Sequence, residues 1–557
     1  MAEKIFIGAA WPYANGPLHL GHIAGAYLPA DIFARYHRIK GDEVLMVSGS
    51  DQHGTPITIR AEQEGRSPAE ISENYHQEFV STWQKMDISF DIFTKTETEN
   101  HKRIAQEFFL RLLEKGHIYK DYVLQPFCPR CRRSLPDRYV EGTCPICGYQ
   151  EARGDQCDHC GQPLNPADLL NGHCKLCGTE PQYIRSEHFF LALSKFENEL
   201  LEWVRGQRHW RPNVYNFTLK YLEGGLKDRA ITRDINWGIP LPIPGYDEKR
   251  LYVWFEAVVG YLSASIEWAN STGQKDKWQE FWKGDCRHYY FIGKDNIPFH
   301  TIIWPVMLMG YGGLNLPYDV PANEYLTLEG RKLSTSHNWA IWLPDFLSRY
   351  DAEPLRYMLS VNMPETSDTD FSWSEFVRRN NDELVATYGN LAQRVLTFAC
   401  RHFGYQVPHP GDLEPKDKEM LAEAEDTLLV SGRLLDACHF KQAIKTSMGL
   451  AQKANQYLEI KSPWKVVHED GSSAATTIYV AIAVLSCLRT ALYPFLPHSS
   501  QRLSDLLGFD GEVEKNGWQL HLPQPGQQLK PPEILFTKLD ESIVHEELGL
   551  LENNRVS

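Results

Sequence analysis

His19 and His22 lie three residues apart in the stretch Ala10-Trp11-Pro12-Tyr13-Ala14-Asn15-Gly16-Pro17-Leu18-His19-Leu20-Gly21-His22. On the first turn of a helix, residues with this spacing share a face. A helix start also offers backbone N–H groups and the positive end of the dipole, an arrangement suited to a nucleotide phosphate on which charge is building. Gly21 lets a ligand come close to the backbone. A second candidate lies far downstream, in Gly330-Arg331-Lys332-Leu333-Ser334-Thr335-Ser336. There Lys332 can act on a phosphate as a point charge, with Ser334 and Ser336 adding hydroxyls. No G-x-x-x-x-G-K-[ST] loop occurs, which excludes a P-loop NTPase.

The third candidate is metal chemistry. Eight of the 12 cysteines form four C-x-x-C pairs, Cys128/Cys131, Cys144/Cys147, Cys157/Cys160 and Cys174/Cys177. Two such pairs make one tetrahedral four-thiolate site, so the set suffices for two structural zinc ions, with one occupied site as the alternative. Sequential and nested pairings both fit the spacing. All-cysteine ligation leaves no open position for catalysis. Met1-Ala2-Glu3-Lys4 runs straight into a strand with no signal peptide, so metal rather than disulfides and a cytoplasmic location are expected. Cys286, Cys400, Cys438 and Cys487 sit in apolar surroundings and are expected in the core.

These residues need elements to position them. Ile5 to Ala10 reads as a short buried strand and Ile23 to Ile39 as a helix. Asp42 to Gly49 reads as a second strand ending at Ser50-Asp51-Gln52-His53-Gly54-Thr55-Pro56, and His288 to Gly293 as another, followed by Lys294 to His300. Polar clusters just past strand ends are where open α/β sheets place ligands. A strand around Tyr325 to Leu328 leads to the Lys332 loop, and residues 186–235 look helical and basic. From about Ser374 the apolar spacing is helical, with few strand signals until the tail. The net charge of −15 argues against indiscriminate polyanion binding but allows a local basic surface such as Arg205 to Arg211. At 42% hydrophobic and 23% charged the composition is that of a globular chain, and no run reads as long enough to span a membrane.

His19-Leu20-Gly21-His22 resembles the H-I-G-H motif, and Lys332-Leu333-Ser334-Thr335-Ser336 the K-M-S-K-S loop, of the class I aminoacyl-tRNA synthetases, within them the methionyl family. The resemblance runs from the first strand to about residue 470. It includes Asp51-x-His53-Gly54-Thr55-Pro56, Phe291-Ile292-Gly293-Lys294-Asp295 and Asp368-Thr369-Asp370-Phe371-Ser372-Trp373. Asn296-Ile297-Pro298-Phe299-His300 and the S-T-S loop resemble the archaeal and eukaryotic-like branch, in which four C-x-x-C pairs are similar to a two-knuckle, two-zinc insertion with nested pairing. Thr335 departs from the motif, standing where a second lysine normally helps stabilise the pyrophosphate leaving group.

The resemblance implies a Rossmann-type parallel-sheet catalytic domain split by a zinc-binding connective insertion and followed by an α-helical anticodon-binding domain. The expected divisions are 1–120 and 236–325 for the catalytic halves, 121–235 for the connective domain, 326–378 for a stem-contact region and 379–557 for the helical domain. It implies ATP-dependent activation of L-methionine and transfer to tRNA(Met), with Mg²⁺ accompanying ATP. His19, His22 and Lys332 become the catalytic set, joined at ATP by Asn15, Gly21, Ser334 and Ser336. The methionine pocket maps onto Trp11, Tyr13, Trp254, Tyr261 and His300, with Asp51 holding the ammonium. Asn390, Arg394 and Trp464 become readers of a CAU anticodon. Without the resemblance, Trp254, Tyr261 and Trp464 read as core aromatics. The chain ends in an acidic tail with no visible oligomerising domain, so a monomer with no membrane attachment is expected.

Overall fold

The computed structural model describes residues 2–334 and 338–556. Lys4–Ala9 is the central strand of a five-stranded parallel sheet, ordered Ala322–Asn323, Arg287–Gly293, Lys4–Ala9, Glu43–Ser50, Ile92–Lys95. Ile5, Phe6, Ile7 and Ala9 are fully buried, as a strand covered on both faces requires. The strand order reverses between Lys4–Ala9 and Arg287–Gly293. At such a switch point, ligands bind beyond the carboxyl ends of the strands. The chain leaves three of these strands through the segments carrying His19, Asp51 and His300, so the fold gathers the expected site at one edge.

The first helix starts earlier than its apolar pattern indicates. It runs Leu20–His22, a π-turn Ile23–Tyr27, then Leu28–Lys40, and ends at Gly41 in the left-handed region (φ 93°). A second π-turn, Phe299–Ile303, carries His300. These two π-turns, unlike a third at Arg379–Gly389, are each followed by a proline, Pro29 or Pro305. Its missing N–H and its ring clash with the carbonyl four residues back displace the regular ladder there.

Two long strands, Ile118–Cys128 and Gln182–Leu191, pair antiparallel from Ile118↔Leu191 to Phe127↔Gln182 and carry the cysteine-rich segment between them. Residues 186–191, expected to be helical, are thus strand. Their partner lies over fifty residues away, beyond any local periodicity, and the helices come later, at Glu197–Gly206 and Pro212–Glu223. The expected basic surface is also corrected at Arg211. Its guanidinium is buried, donating to Asn323 Oδ1 (2.7 Å) and to the Cys438 carbonyl (2.8 Å).

The carboxyl-terminal module stacks Asn390–Phe403, Pro415–Asp436, Phe440–Lys461 and Gly471–Leu492. Gly471–Leu492 corrects the membrane reading, since its 22 residues and mean hydropathy of 1.7 are enough by length and composition to cross one. Yet 94% of that window is buried in protein, making it the core helix of this module. The acidic tail is a helix, Ser542–Val556, and no strand precedes it among the described residues after Leu506. Glu547 on it accepts from Tyr350 Oη (2.6 Å) and pairs with Arg349, so this acidic segment is docked. Arg356 and Asp31, both fully buried, pair at 2.6 Å, and Arg356 also donates to the carbonyls of Pro494 and Phe495. That buried network ties the helical module to the helix behind the first strand. Cys400, Cys438 and Cys487 are buried as expected, whereas Cys286 is only partly so.

Candidate active site

The histidine pair works differently from the bare helix terminus suggested by its spacing. His19 is the N-cap in extended conformation (φ −121°, ψ 171°), not a first-turn residue. Its Nδ1 accepts from the Gly21 N–H at 3.1 Å, and His22 Nδ1 accepts from the His19 N–H at 3.1 Å. The Leu20 N–H donates to the Ile341 carbonyl and the His22 N–H to the His19 carbonyl. The backbone donators expected to meet an anion are therefore already engaged. A ring nitrogen that accepts from an N–H carries no proton, so both rings hold theirs on Nε2. No described residue bonds either Nε2, and the ring centroids are 4.0 Å apart. Burial pushes His22 down to about 4 and His19 well below the ordinary histidine range, with His22 adding to the effect on His19. At neutral pH the pair is two neutral N–H donors side by side. They line a 730 Å³ cleft with Tyr13, Asn15, Arg138 and Arg153, and no carboxylate lines it among the described residues.

The Lys332 loop meets the histidine turn through the Leu333 side chain, and the segment after it reaches the cleft with Asn338 and Trp342. The Leu343 N–H donates to the Leu18 carbonyl (2.8 Å), and a Cβ on Gly21 would lie 3.0 Å from Leu333 Cδ1. Lys332 itself is exposed, 5.0 Å from the Tyr325 ring centroid, and its ammonium donates to the Asp158 carbonyl of the cysteine-rich insertion (3.2 Å). Ser334 pairs with Trp339 through both backbone groups (3.0 and 2.9 Å). Ser336 and Thr335 lie outside the described residues. Asp370 accepts from the Gly330 N–H (2.8 Å) and Glu329 from the Trp373 N–H (2.8 Å). The Asp368 to Trp373 motif thus anchors the base of the loop.

The six residues expected at methionine come together. Tyr13 and Asp51 form a parallel bridge, with Ala14 N–H on the Asp51 carbonyl and Asp51 N–H on the Pro12 carbonyl. Tyr13 meets Trp254 edge-on (6.0 Å), and Trp11 meets Tyr261 edge-on (6.4 Å). Tyr261 Oη and His300 Nε2 are 2.8 Å apart. His300 Nδ1 bonds the Asn296 carbonyl, so it carries the proton and Tyr261 donates to Nε2. Burial pushes His300 down to about 4 and the Tyr261 phenol well up, leaving a neutral polar pair in an aromatic wall. Trp11 fits in a slot that only glycine permits. A Cβ on Gly49 or Gly260 would lie 2.5 or 2.8 Å from its ring. Asp51 is 3% exposed, accepts from the His53 N–H (3.2 Å) and has no cationic side-chain partner among the described residues. Burial and the nearby Glu256 charge raise its pKa well above the usual carboxylate range, against His53.

Sequence reasoning assigned no role to the groups behind Asp51. His53 bridges Glu256 (2.6 Å) and Glu97 (2.6 Å), and His101 joins Glu256 (2.8 Å) to Ser263 (2.8 Å). The two carboxylates overcome burial and push His53 up to about 10, so an imidazolium stands beside Asp51. The available signal was Glu256, the only charged residue in the apolar stretch from Val253 to Ile266. A buried charge there requires partners. Phe299, stacked on Trp254 at 4.0 Å, was also missed.

The cysteines resolve into nested groups, Cys128, Cys131, Cys174 and Cys177 in one and Cys144, Cys147, Cys157 and Cys160 in the other. The cross-pair sulfurs lie 3.4 and 4.0 Å apart in the first and 4.0 and 3.6 Å in the second. A tetrahedron with metal–sulfur bonds of about 2.3 Å has edges of about 3.8 Å, so both groups fit a four-thiolate metal site. Leu135, Tyr139, Val140, Leu164 and Leu169 make only a small core around them.

In the helical module, the Arg394 guanidinium lies 5.0 Å from the Trp464 ring centroid, and both line a 280 Å³ cavity with Phe398, Arg401 and His402. Trp464 is 41% exposed, which rules out the core-packing reading. Asn390 is exposed one turn before Arg394 and is absent from that lining, while Gln393 lines it with a buried Oε1 that bonds nothing among the described residues.

Residues 5–396 match the family model for class I tRNA synthetases (M), and residues 407–547 match the anticodon binding domain of methionyl tRNA ligase. A methionine–tRNA ligase of Dehalococcoides mccartyi strain 195 is 65% identical over 547 residues, covering 98% of this chain and 99% of that one. One from Thermomicrobium roseum is 50% identical over 575 residues, covering 98% of each. A solved structure of Mycobacterium tuberculosis methionyl-tRNA synthetase in complex with methionyl-adenylate superposes with a TM-score of 0.80 at 25% identity, covering 96% of this chain and 99% of that one.

Proposed function

The chain belongs to the methionyl class I tRNA synthetases and is a methionine–tRNA ligase, and from that premise we propose how its side chains divide the reaction. ATP lies in the cleft lined by Asn15, His19 and His22, and methionine against Trp11, Tyr13, Trp254, Tyr261 and His300. The observation carrying this reading is the pair of Nε2–H donors directed by their own caps, next to a buried carboxylate whose oxygens make no direct ion pair among the described residues. The methionine ammonium fills the vacant partnership at Asp51, which keeps its carboxylate near the α-phosphate. That oxygen attacks α-phosphorus, the bond to the β-phosphate breaks, and methionyl-adenylate and pyrophosphate result. His19 and His22 donate to the phosphate oxygens on which charge grows, an electrostatic role that requires neutral donors held in place. Gly21, between them, lets the His19 ring and Leu333 pack against the backbone at the nucleotide site, where a Cβ would meet them at 2.9 and 3.0 Å. Lys332 and the hydroxyls of Ser334 and Ser336 act on the leaving side, Lys332 exchanging the Asp158 carbonyl for phosphate oxygens. The Tyr261–His300 pair faces the soft thioether without offering a charge. Mg²⁺ would enter with ATP and neutralise part of its phosphate charge.

The divisions 1–120, 121–235, 236–325, 326–378 and 379–557 serve as working domains of an enzyme we take to act as a monomer. We take the enzyme to be cytoplasmic, with Gly471–Leu492 a core helix of its carboxyl-terminal module. Zinc is the ion we assign to both thiolate groups, where it supplies structure alone. Two zinc ions per chain are expected by elemental analysis. Removing them with a chelator forfeits about 10–16 kcal/mol per site, so the insertion should lose its protease resistance and exchange activity together. Retention of both after complete metal removal contradicts the assignment.

Asn390, Arg394 and Trp464 read the CAU anticodon. The exposed Trp464 ring stacks on an anticodon base and Arg394 reads an edge, the stack being worth about 1–3 kcal/mol. Trp464→Ala should therefore lower kcat/KM for a CAU-anticodon transcript by about 5- to 150-fold while pyrophosphate exchange persists. Unchanged charging by that variant contradicts the role.

A further inference from the structure

The K-M-S-K-S loop of this chain carries Lys332 but has Thr335 in place of the second cation. We propose that Arg153, from the cysteine-rich insertion, supplies that missing positive charge to the leaving phosphates of ATP. The inference rests on the placement of ATP in the histidine-lined cleft.

Arg153 lines the same cleft as His19 and His22, on a two-residue strand beside Glu141 in the insertion's small sheet. Its guanidinium pairs with the Asp158 carboxylate at 3.2 Å, and the Asp158 carbonyl receives the Lys332 ammonium at 3.2 Å. One residue thus draws the loop's remaining cation and the insertion's arginine to the same edge of the cleft. The other cations in the lining are committed elsewhere. Arg138 pairs with the buried Asp155 at 2.8 Å and lies over the Tyr13 ring, Lys175 pairs with Glu141, and Arg60 with Glu64. Arg60 and Glu64 are comparably exposed, but Arg153 differs in sharing Asp158 with Lys332, and both members of its own pair reach solvent, at 32% and 41%. Such pairs contribute little, so a phosphate can displace Asp158. A guanidinium also matches phosphate oxygens two at a time, which a lysine ammonium cannot do.

The chemistry needs no added reactant. As the methionine carboxylate oxygen bonds to α-phosphorus, the bond to the bridging oxygen breaks and its electron pair leaves on pyrophosphate. The negative charge gained there is what Arg153 meets. Two cations on the leaving side are then restored, one from the loop and one from the metal-stabilised insertion. A metal held by Cys144, Cys147, Cys157 and Cys160 would brace Arg153 and Asp158, which lie between those ligands in the chain.

The test is methionine-dependent ATP–pyrophosphate exchange with Arg153→Gln, Thr335→Lys and the double variant. Arg153→Gln should lose about 10- to 100-fold, the range for hydrogen bonds to a charged group, chiefly in kcat and in KM for pyrophosphate, with KM for methionine unchanged. Arg153→Lys should recover part of the loss. Thr335→Lys added to Arg153→Gln should restore most of it, because the motif's second cation is returned. Wild-type exchange that ignores methionine would overturn the placement of ATP itself. With normal wild-type exchange, an Arg153→Gln rate equal to wild type overturns the Arg153 role alone. So does a loss that Thr335→Lys does not recover, whether or not the metal content of the variant, checked by elemental analysis, has fallen.

Discussion

Replacing His22 with alanine is expected to slow adenylate formation by about 10²- to 10³-fold, the cost of losing one preorganised donor to developing charge. Two losses combine in this variant. The Nε2–H disappears from the cleft, and the His19 N–H loses its ring acceptor at 3.1 Å. His19 stays, still capped onto Gly21, so helix and fold are retained. His22→Gln should fall between, since its amide can donate but lacks the ring's fixed direction. Single-turnover adenylate formation, followed by quench, checks this, with thermal unfolding as the control. Wild-type rates in His22→Ala would remove the histidine pair from the chemistry.

The second large effect lies at Asp51. Truncating one partner of a buried charge pair costs about 2–5 kcal/mol, so Asp51→Asn should raise KM for methionine by about 30- to 5,000-fold and leave KM for ATP nearly unchanged. The isosteric amide keeps the Tyr13 bridge, which is made by backbone groups. The wild-type pH dependence follows from the same burial. Because the Asp51 carboxyl is raised well above its ordinary value, it takes up a proton earlier as pH falls than an exposed carboxylate does. A protonated Asp51 cannot pair with the ammonium. kcat/KM for methionine should therefore decline on acidification, beginning above the usual carboxylate range, and Asp51→Asn should flatten that limb. A low-pH limb that survives unchanged in Asp51→Asn would assign it to another group.

What could be read from the sequence was local. Strands such as Ile5 to Ala10 and His288 to Gly293 announce themselves by unbroken apolar runs, and the polar residues that follow each of them mark the ligand edge. The histidine spacing was legible, but not its use. His19 had to be seen as an N-cap before the two rings could be recognised as occupying the N–H groups rather than adding to them. The cysteine spacing gave the ligand count and left the pairing open, because pairing depends on how the strands Ile118–Cys128 and Gln182–Leu191 bring distant segments together. That same long-range pairing converted residues 186–191 from expected helix to strand. Gly471–Leu492 passes for a membrane helix by composition alone, since a fully buried core helix faces the same absence of water. The His53, His101, Glu256 and Glu97 network was invisible for a further reason. Its members come from three separate segments, and only Glu256, isolated among apolar neighbours, signals that partners must exist.

The central claim is that the histidine-lined cleft and Asp51 together activate methionine on ATP. Methionine-dependent ATP–pyrophosphate exchange tests it most directly, run on the purified wild-type chain beside His22→Ala and Asp51→Asn. The expected result is exchange that requires methionine, collapses in rate with His22→Ala, and demands far more methionine with Asp51→Asn. Exchange that proceeds without methionine, or that both variants support at wild-type rate and methionine concentration, would contradict it.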